Sequence, residues 1–221
     1  DYNLMDLRVI STLGLTDDDV KDIKNIDGVE GVEPTKSLDV VSKFGSDEFV
    51  IRMHSLPNDN VNNNNDAYIN RLNVVQGRMP ERQGECVIGR QNFGGLDIKI
   101  GDKLTVNSGT DNNINDSLET NEYKVVGIVE TPYYLSDNIG SSSIGSGSAK
   151  LYMFVNEDNF KSEVYTDIYV TVKNTKELNS YDDKYFNVVD KVSNSIENMS
   201  DVIVNRRYNE IKTVANEELI K

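Results

Sequence analysis

The sequence predicts an α+β fold in which two β-α-β halves come together around a β-rich middle. Three observations predict it. A strand, a helix and an extended segment follow one another over residues 4–34, and a strand, a helix and a strand repeat that order over 167–206. Both helical stretches place apolar residues at a 3.6-residue period. The middle, about 70–156, is built of short β-branched and aromatic runs broken by Gly, Asn and Ser. Each strand set needs its helix to cover one face, so the two halves pair as an α+β sandwich of ferredoxin-like type.

The elements follow in order. Residues 4–13 (LMDLRVISTL) are β-branched and partly alternating, and Gly14 ends the run. Thr16 is a good N-cap, and Asp17, Asp18 and Asp19 fill a first turn where the helix dipole favours negative charge. Thr16 and Asp19 have the spacing of a capping box, with Asp for the usual Glu or Gln. Val20, Ile23 and Ile26 make one apolar face, and Gly28 is the stop. Pro34 denies helix to the extended segment after Val29. Residues 38–44 and 48–54 flank Gly45-Ser46-Asp47 as a hairpin. Residues 58–66 (NDNVNNNND) are low in complexity and read as an exposed loop.

Beyond them, residues 84–89 and 94–106 give short strands separated by turns. Residues 123–129 and 151–155 are strand-like, rich in Val, Ile, Tyr and Phe. The Pro132 segment and the Gly/Ser run 140–148 between them read as a long hairpin loop with a flexible connector. Residues 167–173 alternate as a strand. Ser180 caps a second helix carrying Tyr185, Phe186, Val189, Val192, Ile196 and Met199, and Asp201 closes it. Residues 202–204 (VIV) read as a short strand. On this basis residues 1–69 and 157–207 form one discontinuous domain, 70–156 an inserted β-rich subdomain, and 208–221 the start of an amphipathic helix.

Composition narrows the function. The chain has 221 residues and a formal net charge of −14, which repels nucleic acid and anionic lipid. One cysteine, Cys86, allows no internal disulfide. No stretch has the 18 or so apolar residues of a membrane span. The chain begins Asp1-Tyr2-Asn3 with neither signal peptide nor initiator Met, and reads as an excised piece.

Chemistry-bearing residues are few. His54, the only histidine, has no second His or acidic residue near it in sequence and reads as a strand residue. Cys86 lies in an apolar run and reads as a small buried hydrophobe. Counted from Asp111, with Asn113, Asn115 and Glu122, residues 111–122 weakly match a calcium loop, but Asp116 stands where glycine makes the sharp turn. The Gly/Ser run is followed by no Gly-Lys-Ser/Thr and is not a phosphate cradle. No catalytic, cofactor or metal residue is assigned. Tyr133, Tyr134 and Leu135 are the candidate partner contact, with packing beneath the Gly/Ser loop as the plainer reading of the rings.

Several motifs share an order. They are the run 7–16 (LRVISTLGLT), the 27–32 step (DGVEGV), Gly77-Arg78-Met79-Pro80 leading to Gly84-Glu85-Cys86-Val87-Ile88, and Ile100-Gly101-Asp102-Lys103-Leu104. Val125-Val126-Gly127-Ile128-Val129 and Ser142-Ser143-Ile144-Gly145-x-Gly147 complete the set. This set resembles the extracytoplasmic, MacB-like periplasmic core domain of FtsX-like ABC transporter permeases. The resemblance implies a porter-like domain of β-α-β units with a smaller inserted subdomain, facing outward from the cell membrane. It also implies a separate cytoplasmic ATP-binding subunit, a permease dimer, and a peptide, lipid or protein as external substrate. Residues 58–66 have no counterpart in it. The function implied is non-catalytic coupling of ATP-driven membrane movement to an external substrate or partner. An extracellular sensor or solute- or peptide-binding module is the alternative, and a secreted enzyme is disfavoured by the lone His and Cys.

Overall fold

The computed structural model describes residues 2–57, 68–90, 96–134 and 139–219. Among them are ten strands and two α-helices. In chain order they are β1 (Leu7–Leu15), α1 (Asp17–Lys24), β2 (Val29–Thr35), β3 (Ser37–Phe44), β4 (Asp47–Leu56), β5 (Asn73–Gly77) and β6 (Glu85–Gly89). Then come β7 (Lys103–Asn107), β8 (Glu122–Glu130), β9 (Ala149–Asn156), β10 (Tyr165–Val172) and α2 (Asp183–Leu219). The chain divides into two compact units, one of residues 1–4 and 35–162, the other of residues 5–34 and 163–221.

The helix-bearing unit is a three-stranded sheet in the order β1-β10-β2. Strand β10 lies antiparallel to β1, with Leu7 opposite Val170 and Val9 opposite Ile168. Those four side chains face α1 and α2 and pack with Ile23, Val192, Ile196 and Ile203. The capping box read from Thr16 is formed. Asp19 Oδ2 accepts the Thr16 N–H at 2.7 Å, and the Thr16 side chain accepts from the Asp19 N–H. The acidic triplet is therefore a helix start, with Asp19 buried beneath it.

The first stretch has the element order β1-α1-β2, but the second lacks its closing strand. Residues 202–204 are helical, and α2 runs unbroken through them into the segment expected to start a new helix. Ile203 extends the row of buried Val192 and Ile196 and half-buried Met199 at helical spacing. Arg206 and Arg207 then tie the same turn to α1 and to the Leu13 carbonyl. These anchors outweigh the β-propensity of Val-Ile-Val. The α+β class stands in this coarser form.

The other unit is built on strands. They follow the order β5-β8-β6-β9-β4-β3-β7, and β7 also pairs with β8. That last pairing closes six strands into a barrel, β8-β6-β9-β4-β3-β7. Strand β8 carries β7 beside residues 122–124 and β5 beside residues 127–130. Alternation along the strands fills the interior. Phe49, Ile51 and Met53 of β4, Leu151, Met153 and Val155 of β9, and Cys86 and Ile88 of β6 form one buried cluster with Leu104, Val106, Tyr123 and Val125.

The predicted β3–β4 hairpin is formed in full register from Ser37–His54 to Phe44–Asp47. Yet β4 also lies parallel to β9, so residues 37–56 belong to the barrel and not with the helices. The predicted hairpin of 123–129 with 151–155 is not formed. Strand β6 stands between β8 and β9, parallel to the first and antiparallel to the second. A connection as long as 131–148 can cross over an intervening strand, which a tight turn cannot. The expected loop 58–66 lies outside the described residues.

Candidate interaction site

The alternation that fills the barrel sends the remaining side chains of β3, β4 and β9 to its outer wall. Among them are Asp39, Arg52, His54, Tyr152 and Phe154. Residues 131–134 and 139–148, from the β8–β9 connection, pack on this wall as a strap. Ile139 and Ile144 of the strap meet Val41, Val50 and Ala149.

The strap is more ordered than a flexible connector. Ser142 N–H donates to the Gly147 carbonyl at 2.9 Å, Gly147 N–H to Ile144 at 3.1 Å, and Ala149 N–H to Gly140 at 3.1 Å. Glycine is required here by closeness as well as by backbone. At Gly145, with φ +55°, a Cβ would stand 2.7 Å from Val50 Cγ2.

Arg52 fastens the strap. It donates from Nη1 to the Ile139 carbonyl at 2.9 Å and from Nη2 to the Ser141 carbonyl at 2.7 Å. It also holds the Asp39 carboxylate through Nε and Nη2. Burial pushes the Asp39 carboxyl up, but hydrogen bonds from Arg52 and Ser142 and the Arg52 charge outweigh it and hold the group below the usual range. The Asp39 hydrogen bond raises Arg52 in turn, so each partner favours the charged form of the other.

The predicted contact residues lie at the start of the strap. Tyr134 stacks on Tyr152, with centroids 4.8 Å apart at 21°. Its hydroxyl is 2.7 Å from His54 Nε2. Tyr133 meets Tyr134 edge-on at 4.8 Å and His54 edge-on at 5.8 Å. His54 in turn stacks on Phe154 at 5.2 Å. Both tyrosines are half-buried, so each keeps an open side while packing on the wall. Leu135 lies outside the described residues. Burial pushes the Tyr152 hydroxyl up to about 12, with Glu130 adding to the shift.

Sequence reading singled out Tyr133 and Tyr134 as a candidate contact but not the residues they pack on. The signal was present as period two: Arg52 with His54, and Tyr152 with Phe154, each occupy alternate positions of a strand whose other face is apolar. What was missing was the parallel β4–β9 pairing that sets His54 opposite Phe154.

The remaining candidates are placed as follows. Cys86 is buried in the barrel interior, and loss of solvent pushes its thiol far above the ordinary range, which leaves it unreactive. In the segment read against a calcium loop, residues Ile114–Asp116 form a turn of 3-10 helix. The Asn113 side chain there accepts the Asn115 N–H at 3.0 Å. Among the described residues, no three His, Cys, Asp or Glu side chains are grouped to hold a metal ion. Among them also, no helix is long and apolar enough to cross a membrane.

No curated protein matches the chain. Solved structures are similar to it, two of them as follows. One is the extracellular domain of the noncanonic ABC-type transporter YknZ from Gram-positive bacteria, at 13% identity and a TM-score of 0.44, covering 74% of this chain and 75% of that one. The other is the periplasmic region of MacB from Actinobacillus actinomycetemcomitans, at 11% identity and a TM-score of 0.41, covering 85% and 75%. The sequence profile of one family matches residues 3–184, most of the chain. The chain therefore belongs to the MacB-like periplasmic core domain family.

Proposed function

We propose that this chain is the extracellular domain of an ABC transporter permease subunit. It performs no chemistry of its own and passes ATP-driven movement of the membrane part to an external substrate or partner. The observation that carries this reading is the family match over residues 3–184. A separate cytoplasmic ATP-binding subunit and a second permease copy complete the proposed machine. The strap residues Tyr133, Tyr134 and Leu135 are the proposed contact for a peptide, lipid or protein outside the cell. The half-buried state of the first two supports this choice, because they are held in place and still present ring surface.

The test is made in the parent permease with its ATP-binding subunit in proteoliposomes. Deleting the domain should uncouple ATP hydrolysis from transport or from partner response while the complex still assembles. A parent chain without membrane spans, or transport unchanged by the deletion, would sink the reading. Replacing Tyr133 and Tyr134 with Ala together should weaken partner response. Unchanged response would remove the contact assignment and leave the permease reading in place.

A further inference from the structure

The sheet of the helix-bearing unit has two unlike edges. Strand β2 forms one and carries Pro34, which cannot donate to a ladder, with Glu30 and Glu33 on the same strand. Strand β1 forms the other. It has β10 on one side and, among the described residues, no strand on its other side. It contains neither proline nor lysine, and its one charged residue, Arg8, donates to Asp167 of β10 at 2.6 Å. Ile10 is 61% exposed and Leu13 is 37% exposed. An edge of this composition is a template for a further strand. Its usable part is residues 7–10, where the register with β10 is regular. Beyond that, the Leu13 N–H is taken by Ser11 Oγ and the Leu13 carbonyl by Arg207.

Helix α2 lies along this edge strand. The Tyr185 hydroxyl donates to Asp6 at 2.8 Å beside the start of β1, and Arg207 Nε donates to the Leu13 carbonyl at 3.0 Å near its end. Arg206, bonded to Asp19 and Asp22, marks the flank of α2 turned toward α1. Val204 stands about 200° round the helix from Arg206, and Phe186 lies about five turns earlier on the same line. These two residues are 48% and 49% exposed. Since α1 leads from β1 to β2, it covers the β10–β2 side, and the flank of α2 away from it faces the free edge of β1.

The path of the chain selects the occupant. The passage β1-α1-β2 crosses β10 to reach the far edge. Strand-helix-strand returns of this kind have one hand almost without exception. Strand β10 runs opposite to β1, so the same hand carries the passage from β10 through α2 the other way, across β1. A strand that follows α2 is therefore delivered to the free side of β1, antiparallel to it. We infer that the β1 edge and the Phe186–Val204 flank of α2 form a slot for one strand, supplied by a later segment of the same permease polypeptide. The inference rests on the permease reading for a longer parent chain. A second copy is the poorer occupant, because two chains of net charge −14 repel each other, whereas a segment of the same polypeptide is held nearby at high effective concentration.

The experiment compares the 221-residue chain with the parent permease assembled with its ATP-binding subunit, by amide exchange resolved to single residues. In the 221-residue chain the amides of residues 7–10 should alternate, slow where they face β10 and fast where they face the open side. In the parent all of them should be slow, the open-side amides by roughly 100-fold, while α1 and β10 exchange alike in both proteins. In the parent, Ile10 is also replaced by the photo-reactive p-benzoylphenylalanine. Irradiation should join it to a segment beyond α2 in the same polypeptide, with the product at the mass of one copy. Equal exchange along residues 7–10 in the two proteins overturns the slot. A product that joins two copies, or that joins the permease to an added peptide, overturns the inference by assigning the slot to a different occupant. A parent without membrane spans sinks the permease reading and leaves the exchange comparison as decisive as before.

Discussion

Arg52 grips both oxygens of Asp39, Nε to Oδ1 at 2.8 Å and Nη2 to Oδ2 at 2.9 Å, and also donates to two strap carbonyls. One guanidinium therefore joins two neighbouring strands to the crossover above them. Replacing Arg52 with Ala leaves a partly buried carboxylate and two strap carbonyls without their donor. Loss of charge-assisted hydrogen bonds of this kind costs about 1.5–3 kcal/mol. The urea midpoint should fall accordingly, with faster amide exchange at Ala149. Arg52→Lys should recover only part of the loss, because an ammonium cannot form the two-pronged contact.

Acid should weaken the barrel through Glu85. Its carboxylate accepts from Arg78 at 2.6 and 2.7 Å and from the Glu81 N–H at 3.0 Å. The Arg78 hydrogen bonds come first among the causes that hold it at about 2, against an ordinary 4.5. A depressed carboxylate contributes stability that is complete above the ordinary value and is lost as the pH falls through the folded one. The contribution should thus disappear between pH 4.5 and about 2. Glu85→Gln should lower stability near neutrality and flatten this part of the acid limb, read by thermal melts across that range.

The attachment of α2 to α1 depends on Arg206. Its guanidinium contacts Asp22 at 2.5 Å and Asp19 at 3.3 Å, and Asp19 is 1% exposed. Arg206→Gln takes the cation from a buried carboxylate that already caps α1. The cost should be about 2 kcal/mol, seen as a lower Tm and faster exchange in α1. Lys212→Gln, on an exposed position farther along the same helix, serves as the control and should leave both unchanged.

Local chemistry was the legible part of the fold. The Thr16–Asp19 cap, the Gly45 hairpin and the amphipathic faces of both helices all depend on residues a few positions apart, where spacing alone specifies the contact. The barrel was not legible. It rests on β4 beside β9 and β7 beside β8, pairings between segments far apart in sequence or joined by irregular turns. Residues 202–204 misled for another reason. Their propensity favours strand, but a buried Ile203 and two arginine anchors act only in the folded state. In the candidate site the tyrosines were legible as aromatics beside a proline. Their attachment to His54 was not, since it needs the outer wall that the barrel creates.

The parallel pairing of β4 with β9 also bears on how the protein is made. Synthesis delivers β3 and β4 about a hundred residues before the strand that completes their wall, and delivers β1, α1 and β2 before the strand that sits between β1 and β2. The barrel cannot close until residue 156 has emerged, and the small sheet cannot fill its gap until residue 172 has followed. For most of its elongation the nascent chain therefore carries open strand edges from both units at once, and strands in the last third of the polypeptide commit the rest to its fold.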